Sequence, residues 1–584
     1  MGASAAATAL IACGRGSSSG SLKFTDPDSS RQPGSTWLSA NDWKLADETA
    51  AAVPGGVYPG NLNGDQSGTY DALLLGSAAY PHSKHVHELL MGIRREPGLD
   101  PSSPDASVPL PVLAQDMEMA EGGLQVTFTL RPNVKWHPQA PVNGRVMDID
   151  DWKTTLERFL ATSRQRTAML DILDKVEYPD SRHMVMKLKF PYGPFVDQIA
   201  NERFAFMVMP KELNADVHLA ATVPVGTGFK ILDEHQSSVR MEYRQNPDYW
   251  GGKPFIDRWN YPIIPEYANR YAQFVAKNII SFTPTAREVL SIAKDNPGAI
   301  IVGSNLVAGN ITRLNIGRVN SQTRAYKDSR VRVAMRRAMN MRGIGEVLAN
   351  KEQFDASGIP IQLAPMTHAT REPRWWLDPY KDELGKVSAN YLYDVAEAKK
   401  LAAAAGYTNP IELDWLFAVS TTSPDAPEAE RLMFDSLNLS GVFKARSVLE
   451  GNSDRSYDCW SLRDCDAISR TGRGTEYDMD YYMREMTSAG ARPEAQPAYP
   501  HPTLDKIAEE FRRTIDPVRR IQLVKDWQIF SAEWMSLIPA FDDYNFFSFQ
   551  WPWLHNINNG TIEGRPAWGG HKIWLDKDMP RRNG

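Results

Sequence analysis

The sequence has little cysteine, no marked excess of charge of one sign and, after its first residues, no long apolar run. Only three cysteines occur in 584 residues, which excludes a disulfide-rich scaffold and a metal cage built from several cysteines. The net charge of −6 creates no basic surface field, so nucleic-acid binding as the main function is disfavoured. Beyond the N-terminus no window holds 18 consecutive apolar residues, so no transmembrane helix is predicted there.

Known catalytic and cofactor motifs are missing as well. The sequence has no P-loop, no G-x-G-x-x-G after a strand, no H-E-x-x-H and no zinc-finger spacing. Residues 16–20 match G-x-S-x-G but lack the strand and helix that this motif requires. His82, His85 and His87 lie as close together in the sequence as metal ligands often do. The only further candidate ligand beside them is Glu88, and a surface loop that leads into a helix would account for the three histidines equally well. The sequence therefore predicts no enzyme, no cofactor and no metal site.

The residues that are present describe an ordinary globular protein. The chain is 42% hydrophobic and 23% charged, and its length suggests three or four domain-sized units. Alternating apolar residues predict strands over 124–130 and 184–190, and a helix with an acidic start is predicted over 150–161 between them. Strands and helices alternate along the chain, which predicts an α/β architecture.

The C-terminal half is richer in predicted helices. Residues 394–405, followed by glycine, and the segment after Asp516-Pro517 have helix start and stop signals. Another helix is predicted after a cap at 328–329. It carries five arginines, which we interpret as a solvated helix face in preference to a nucleic-acid stripe: Arg330, Arg332, Arg336, Arg337 and Arg342.

Cys13 ends a short apolar start, where a branched and a small residue precede it and a Gly/Ser run follows. The arrangement resembles a bacterial lipobox, in which the cysteine is lipidated and becomes the new N-terminus. A truncated signal-peptide end or a chance apolar start is the alternative, because the usual basic segment is missing. We expect 1–13 to be a lipoprotein signal remnant and 14–52 to be a flexible linker.

The other two cysteines, Cys459 and Cys465, are six residues apart in an acidic segment. In an exported chain they could form one short-loop disulfide. Two buried, reduced thiols are the alternative.

Several motifs occur in a fixed order within residues 53–584. In sequence letters they are PVLA (111–114) with FTLRPNVKWH (128–137), DDW (150–152) with LERF (156–159), GTG (226–228), RQNPDYWGGKP (244–254), DSRVRVAM (328–335) and HPTLD (501–505). Together they resemble family 5 of the bacterial extracellular solute-binding proteins, the peptide and nickel type that serve ABC importers. Phe229 stands where the family more usually has proline. We expect Trp136, Tyr249 and Trp250 of these motifs to be packing residues and not ligand contacts.

The resemblance implies a two-lobed α/β fold of the periplasmic-binding-protein type (class II), with hinge strands and an extra domain inserted in the first lobe. Lobe 1 would comprise 53–80, 222–306 and 541–584, and the inserted domain 81–221. Lobe 2 would comprise 307–540, so the chain would cross between the lobes near residues 306 and 541.

The resemblance also implies where a ligand would bind. In peptide-binding relatives, an aspartate after a Tyr-Asp pair in the second lobe holds the N-terminal ammonium group of the peptide. Here the pair is 457–458, and the first and second candidates are Asp466 and Asp464. Further candidate ligand contacts are Trp460, Arg463 and Tyr544. The usual Trp-x-x-Asp-Tyr run of the family is absent, and a solvated acidic loop closed by a disulfide is the alternative interpretation.

The implied function is capture of an oligopeptide or similar polar solute by hinge closure, and its delivery to the permease of an ABC importer. The expected protein is an extracytoplasmic monomer, either periplasmic or a cell-envelope lipoprotein that touches the membrane only through its lipid anchor, and it binds no nucleic acid. Alternatives are a nickel chelate or an oligosaccharide as ligand, for which the 16 tryptophans offer stacking surfaces, or an enzyme on the same scaffold.

Overall fold

The computed structural model describes an α/β molecule with several separate sheets. The described residues are 36–38, 47–65, 68–74, 85–93, 97, 99, 105, 108–163, 165–201, 206–303, 312–316, 324–359, 361–372, 374–418, 426–450, 467–471, 479–489, 499–544, 546–556 and 570–576. No helix in these ranges combines the length and apolarity needed to cross a membrane.

The strands are short and are spread over the whole described chain. They are β1 (Thr36–Leu38), β2 (Val57–Pro59), β3 (Met91–Ile93), β4 (Pro109–Pro111), β5 (Ala114–Ala120), β6 (Gln125–Leu130), β7 (Leu173–Glu177), β8 (His183–Leu188), β9 (Lys230–Gln236), β10 (Arg240–Gln245), β11 (Arg258–Pro262), β12 (Ser281–Phe282), β13 (Ile300–Gly303), β14 (Thr312–Ile316), β15 (Leu363–Ala364), β16 (Ile411–Ala418), β17 (Phe443–Glu450), β18 (Ala467–Thr471), β19 (Ile538–Pro539), β20 (Asp543–Tyr544), β21 (Phe547–Gln550), β22 (Leu554–His555) and β23 (Trp574–Leu575).

The longer helices lie in the second half of the chain, with one exception at 149–162. The α-helices are Ile149–Thr162, Arg166–Ile172, Phe195–Ile199, Lys211–Ala215, Val217–Thr222, Tyr267–Val275, Val289–Asp295, Ser329–Ala338, Met341–Leu348, Lys351–Ser357, Val395–Ala404, Ala426–Leu439, Met479–Glu485, Pro502–Arg513 and Pro517–Trp534. Short 3-10 helices are Thr49–Ala51, Glu121–Gly123, Arg324–Lys327, Pro379–Lys381, Gly385–Tyr391 and Gly570–Lys572.

Two four-stranded sheets share one aromatic core. Sheet A has the strand order β1-β13-β21-β12, and sheet B has the order β2-β11-β10-β9. In sheet A, β1 is parallel to β13, whereas β21 is antiparallel to β13 and β12. Phe354, from the helix Lys351–Ser357, stacks on Phe547 of β21 with 5.0 Å between ring centroids. This helix therefore packs on sheet A, although its residues fall in the predicted lobe 2.

A third, antiparallel sheet is built from local hairpins. Sheet C has the order β5-β6-β8-β7, and the helix Ile149–Thr162 packs in its core. Alternate residues of β6 are buried, namely Val126, Phe128 and Leu130. The period-2 pattern of the sequence thus marks the buried face of this sheet.

The fourth sheet is the largest. Sheet D has the order β17-β16-β18-β14-β19, with β16 parallel to both of its neighbours and β14 antiparallel to both of its own. The helices Ser329–Ala338, Val395–Ala404 and Ala426–Leu439 contribute to its core. A separate apolar cluster is formed by the last three described α-helices, Met479–Glu485, Pro502–Arg513 and Pro517–Trp534.

The chain passes twice between sheets A and D. It leaves sheet A after Gly303 and enters sheet D at Thr312, and it leaves sheet D after Pro539 and re-enters sheet A at Phe547. The sequence analysis places crossings near residues 306 and 541, inside these two intervals. In the return crossing, β20 pairs with β15, so residues 543–544 are still attached to the sheet D side.

The strand β1 departs from the sequence prediction. It lies inside 14–52, the segment predicted to be a flexible linker, yet Trp37 pairs with Val302 of sheet A. Three residues without a periodic pattern carry no strand signal, because this pairing joins residues that are far apart in the sequence.

The prediction of a solvated arginine face is wrong for three of the five arginines. Arg332, Arg336 and Arg337 are buried, while Arg330 and Arg342 have side chains that are 48% and 61% exposed. The helix Ser329–Ala338 lies between the core of sheet D and the C-terminal end of the helix Pro517–Trp534. Its charged side chains are therefore enclosed by tertiary contacts that a local sequence pattern does not contain.

Candidate functional site

The return crossing carries two adjacent buried carboxylates, and each has a partner on the sheet D side. Asp543 forms an ion pair with the buried Arg371. Asp542 accepts a hydrogen bond from the Tyr380 hydroxyl at 2.8 Å, and its backbone N–H donates to the Met341 carbonyl at 3.2 Å. Burial raises the pKa of both aspartates, and the Arg371 charge opposes the increase at Asp543. These carboxylates fix the crossing in place.

Tyr544, predicted to contact a ligand, is 5% exposed and packs in the core of sheet D. Its backbone pairs with Leu363. The nearby ring of Phe546, with 5.5 Å between the two ring centroids, is 53% exposed. The exposed aromatic ring of the crossing is thus Phe546, which the sequence analysis did not select.

The other predicted site residues lie outside the described part of the chain. They are the candidate ligand contacts Trp460, Arg463, Asp464 and Asp466, the possible disulfide partners Cys459 and Cys465, and the candidate lipidation site Cys13. Their assignments remain predictions.

Glu88 is the centre of a buried polar network that the sequence analysis noted only beside the histidines. Its carboxylate accepts hydrogen bonds from the Thr227 hydroxyl at 2.8 Å and from Tyr249 and Trp250 at 2.9 Å each. The Arg131 guanidinium lies 4.2 Å from the Trp250 ring centroid. The pKa of Glu88 is raised by burial, and these hydrogen bonds and the Arg131 charge oppose the increase. The network joins three of the sequence motifs.

The aromatic residues of these motifs form hydrogen bonds with carboxylates of the protein itself. Tyr249 and Trp250 bond to Glu88, and the Trp136 indole N–H donates to Asp151 at 3.1 Å. The sequence shows that polar and aromatic residues cluster in several motifs. It does not show which residue of one motif contacts which residue of another.

Of the three histidines at 82, 85 and 87, the two that the structure describes, His85 and His87, are buried. The His85 ring stacks on Tyr261 at 5.8 Å between ring centroids, and burial lowers the pKa of His87 to about 3. His82 lies outside the described residues. Across the described ranges, no group of three His, Cys, Asp or Glu side chains has an arrangement that could hold a metal ion.

The chain matches a known protein family over more than half of its length. The family model of the bacterial extracellular solute-binding proteins, family 5 middle, matches residues 108–491. The dipeptide-binding protein of Escherichia coli (strain K12) is 28% identical over 347 residues, which cover 55% of this chain and 59% of that protein. This match therefore spans less than two thirds of the relative's length.

Solved structures show the same fold over nearly the whole chain. The periplasmic binding protein DppA from Helicobacter pylori, in complex with the peptide STSA, is similar with a TM-score of 0.71 and 19% identity, covering 90% of this chain and 99% of that chain. NikA from Brucella suis, in complex with Fe(III)-EDTA, has a TM-score of 0.70 and 19% identity, covering 90% and 100%. This likeness establishes the two-lobed α/β fold implied by the sequence motifs.

Proposed function

The chain belongs to the bacterial extracellular solute-binding proteins of family 5, and from this premise we propose that it captures an oligopeptide or similar polar solute for an ABC importer. The observation that carries the proposal is the family match over residues 108–491. The likeness to a dipeptide-binding protein and to a structure in complex with a peptide supports peptide as the solute class. In this proposal the chain is an extracytoplasmic binding protein that delivers its solute to a permease, and it has no enzymatic role.

The solute is captured between two lobes that close as rigid bodies. Lobe 1 contains sheets A and B, the inserted domain contains sheet C, and lobe 2 contains sheet D and the last three long helices. Two chain crossings join sheets A and D, which is the connectivity that hinge closure requires. In the return crossing, Tyr544 pairs with Leu363 on the sheet D side, and Phe547 pairs with Gly303 in sheet A. In this crossing the hinge rotation therefore falls between Tyr544 and Phe547.

Contacts to the peptide come from the segment 457–466 and from the crossing. Asp466, or Asp464 as the second candidate, binds the ammonium group, and Trp460 and Arg463 line the same site. In the crossing, the ring of Phe546, which is 53% exposed, contacts apolar groups of the ligand. The support for the aspartates is their position after a Tyr-Asp pair.

Two covalent features accompany this proposal. Cys13 carries the lipid anchor, and Cys459 forms a disulfide with Cys465. Intact-mass measurement of the protein from membranes tests the first, because lipidation adds the mass of acyl chains. Thiol alkylation with and without reductant tests the second: two free thiols in the native protein would rule the disulfide out.

Thermal stability in the presence of solute pools tests the proposed function. A ligand that binds only the native state stabilises that state by about 2.7 kcal/mol when the ligand concentration is 100 times its Kd. We expect pools of short peptides to raise the Tm by several degrees, and sugar pools to leave it unchanged. No shift with any peptide pool would reject peptide as the solute.

A chelated nickel ion is the second candidate solute, because the chain is similar to NikA, whose structure holds a metal chelate. The same assay with nickel and small chelators distinguishes the two solutes. Asp466→Asn separates them further, since it removes the charge that an ammonium group needs, whereas Asp435→Asn on an exposed helix face serves as the matched control. Unchanged peptide affinity in Asp466→Asn would remove Asp466 from the site.

A further inference from the structure

Among the described residues, the inserted domain touches lobe 2 along a polar seam, which lies outside the predicted solute contacts. The inserted domain contributes residues 171 and 190–197, and lobe 2 contributes Asp480 and the region where the helix Pro502–Arg513 ends and the helix Pro517–Trp534 begins. The apolar core around sheet C and the apolar cluster of the last three helices share no residue among those described. The seam therefore lies between two separate apolar cores and is not part of one common core.

Arg512 is the centre of the first half of the seam. Its guanidinium pairs with Asp171 of the inserted domain at 2.5 Å and with Asp480 of lobe 2 at 3.3 Å. The Tyr192 hydroxyl of the inserted domain donates to the same Asp480 at 2.7 Å. The Arg512 guanidinium also lies 5.2 Å from the Phe190 ring centroid. One buried carboxylate and one arginine thus bind both sides of the seam.

Arg520 and the backbone of Gly193 form the second half. The Gly193 N–H donates to the Arg512 carbonyl at 2.8 Å, and the Gly193 carbonyl accepts from the Arg520 guanidinium at 2.5 Å. Arg520 also pairs with Asp197 at 3.5 Å. A Cβ atom at Gly193 would lie 2.0 Å from the Thr514 carbonyl oxygen. The two backbones approach so closely that only glycine fits at this position.

The seam encloses a void that is too small for a peptide. Asp197 and Pro194 line it from the inserted domain, and Trp375, Phe511 and Arg520 line it from lobe 2, with a volume of about 30 Å³. A void of this volume has room for water and not for a peptide. The seam therefore works as a contact surface and is not a solute pocket.

We propose that this seam is a latch: it forms when the inserted domain swings onto lobe 2, holds the cleft closed, and separates when the cleft opens. The inference rests on the proposed function, because it requires lobes that open and close. The seam is polar, and the apolar cores on its two sides do not merge across it, which is the composition of transient inter-domain contacts. By setting the fraction of closed molecules, the latch adjusts the apparent solute affinity without touching the solute.

Gly193→Ala tests the latch, because the added methyl group meets the Thr514 carbonyl only when the seam is formed. The backbone of Gly193 is not in the left-handed region, so alanine fits the open state. In small-angle X-ray scattering without solute, we expect the radius of gyration to rise by roughly 1 Å from about 25 Å. Amide exchange in peptides covering 190–197 and 510–517 should become at least tenfold faster, on the order of a local opening.

Gly64→Ala is the matched control, because nothing lies within 4 Å of its added Cβ atom, and it should behave as wild type. An unchanged radius of gyration in folded Gly193→Ala would overturn the latch, since the seam would then hold no fraction of the molecules closed. If that variant does not fold, Asp171→Asn combined with Tyr192→Phe should open the seam in the same assays, and no change there would also overturn it. Because no solute is present, a failed solute screen would reject the proposed function and leave this result standing.

Discussion

At the scale of single residues, Arg332 shows how a cation inside one helix satisfies the end of another. Its guanidinium donates to the carbonyls of Tyr326, Trp534 and Met535 at 2.7 to 2.9 Å. The last two carbonyls belong to the C-terminal end of the helix Pro517–Trp534, where intrahelical donors are missing. Burial lowers the pKa of Arg332 to about 10, so it stays charged at neutral pH.

Arg332→Met should destabilise the protein by about 3 kcal/mol or more, because it leaves several buried carbonyls without a donor. The midpoint of urea unfolding measures the loss. Arg342→Met is the control, since the Arg342 side chain is 61% exposed and its contacts are with Glu346 one turn away and with the Tyr380 ring at 5.3 Å. It should change stability by less than about 0.5 kcal/mol. Equal effects of the two substitutions would contradict the capping role of Arg332.

Two buried histidines make stability depend on pH. His137 accepts a hydrogen bond from the Gly226 N–H, and its other ring nitrogen lies 2.8 Å from the Gly228 carbonyl, an arrangement that suits neutral imidazole. Burial lowers the pKa of His137 to about 4 and that of His87 to about 3. Both side chains titrate near pH 6.5 in the unfolded chain. Below that pH the unfolded chain therefore binds more protons than the folded chain.

Folded-state stability should consequently fall as the pH drops from 6.5 towards 4, by up to about 1.4 kcal/mol per pH unit for each histidine. His137→Gln should reduce this slope, because its side chain does not titrate, whereas the exposed His218→Gln should leave the slope unchanged. Urea unfolding at several pH values measures the free energy of unfolding of each protein and hence its slope against pH. A slope in His137→Gln equal to that of the wild type would show that His137 does not contribute.

At the scale of elements, the return crossing is held by the Arg371–Asp543 pair, in which both side chains are buried. Removing one partner leaves the other charge buried and uncompensated, which costs about 3 to 5 kcal/mol. We therefore expect Asp543→Asn and Arg371→Met each to destabilise strongly, and the double variant to lose clearly less than the sum. Urea unfolding of all four proteins measures the coupling. Additive losses would mean that the two residues do not act as a pair.

Regular elements were predictable where a local pattern matches the burial that the tertiary structure imposes. Alternation over 124–130 and 184–190 corresponds to β6 and β8, and the helix Val395–Ala404 begins at the Asp394 cap and is followed by Gly406 at φ 94°. Alternation and capping are local, so they can be read from a single sequence. The pairing of β1 with β13 and the burial of Arg332 depend on distant partners, which no local pattern encodes.

The candidate site was less predictable than the fold. The resemblance directed attention to Tyr544, but that residue lies in the core of sheet D, and Phe546 carries the exposed ring. Tyr544 is the last residue of β20, and β21 begins at Phe547. The burial of Tyr544 depends on the pairing of β20 with β15, which is far away in the sequence, and the sequence contains no signal for this pairing.

At the scale of the whole molecule, sheets A and D lie in separate apolar cores, which are connected by two crossings and by the helix Lys351–Ser357 packed on sheet A. A molecule built in this way can close by rotation at the crossings while each core stays intact. The polar seam between the inserted domain and lobe 2 then acts together with the solute, since both favour the closed molecule. The family gives the architecture, and the seam residues adjust the balance between open and closed states.

The central claim is that the chain binds a small solute between its lobes, and native mass spectrometry tests it most directly. The purified protein, incubated with a pool of short peptides, should show a species with one peptide bound, and the bound mass should be lost on denaturation. A bound nickel chelate in place of the peptide would support the second candidate solute. Only the unbound mass, with peptide and chelate pools alike, would contradict the account.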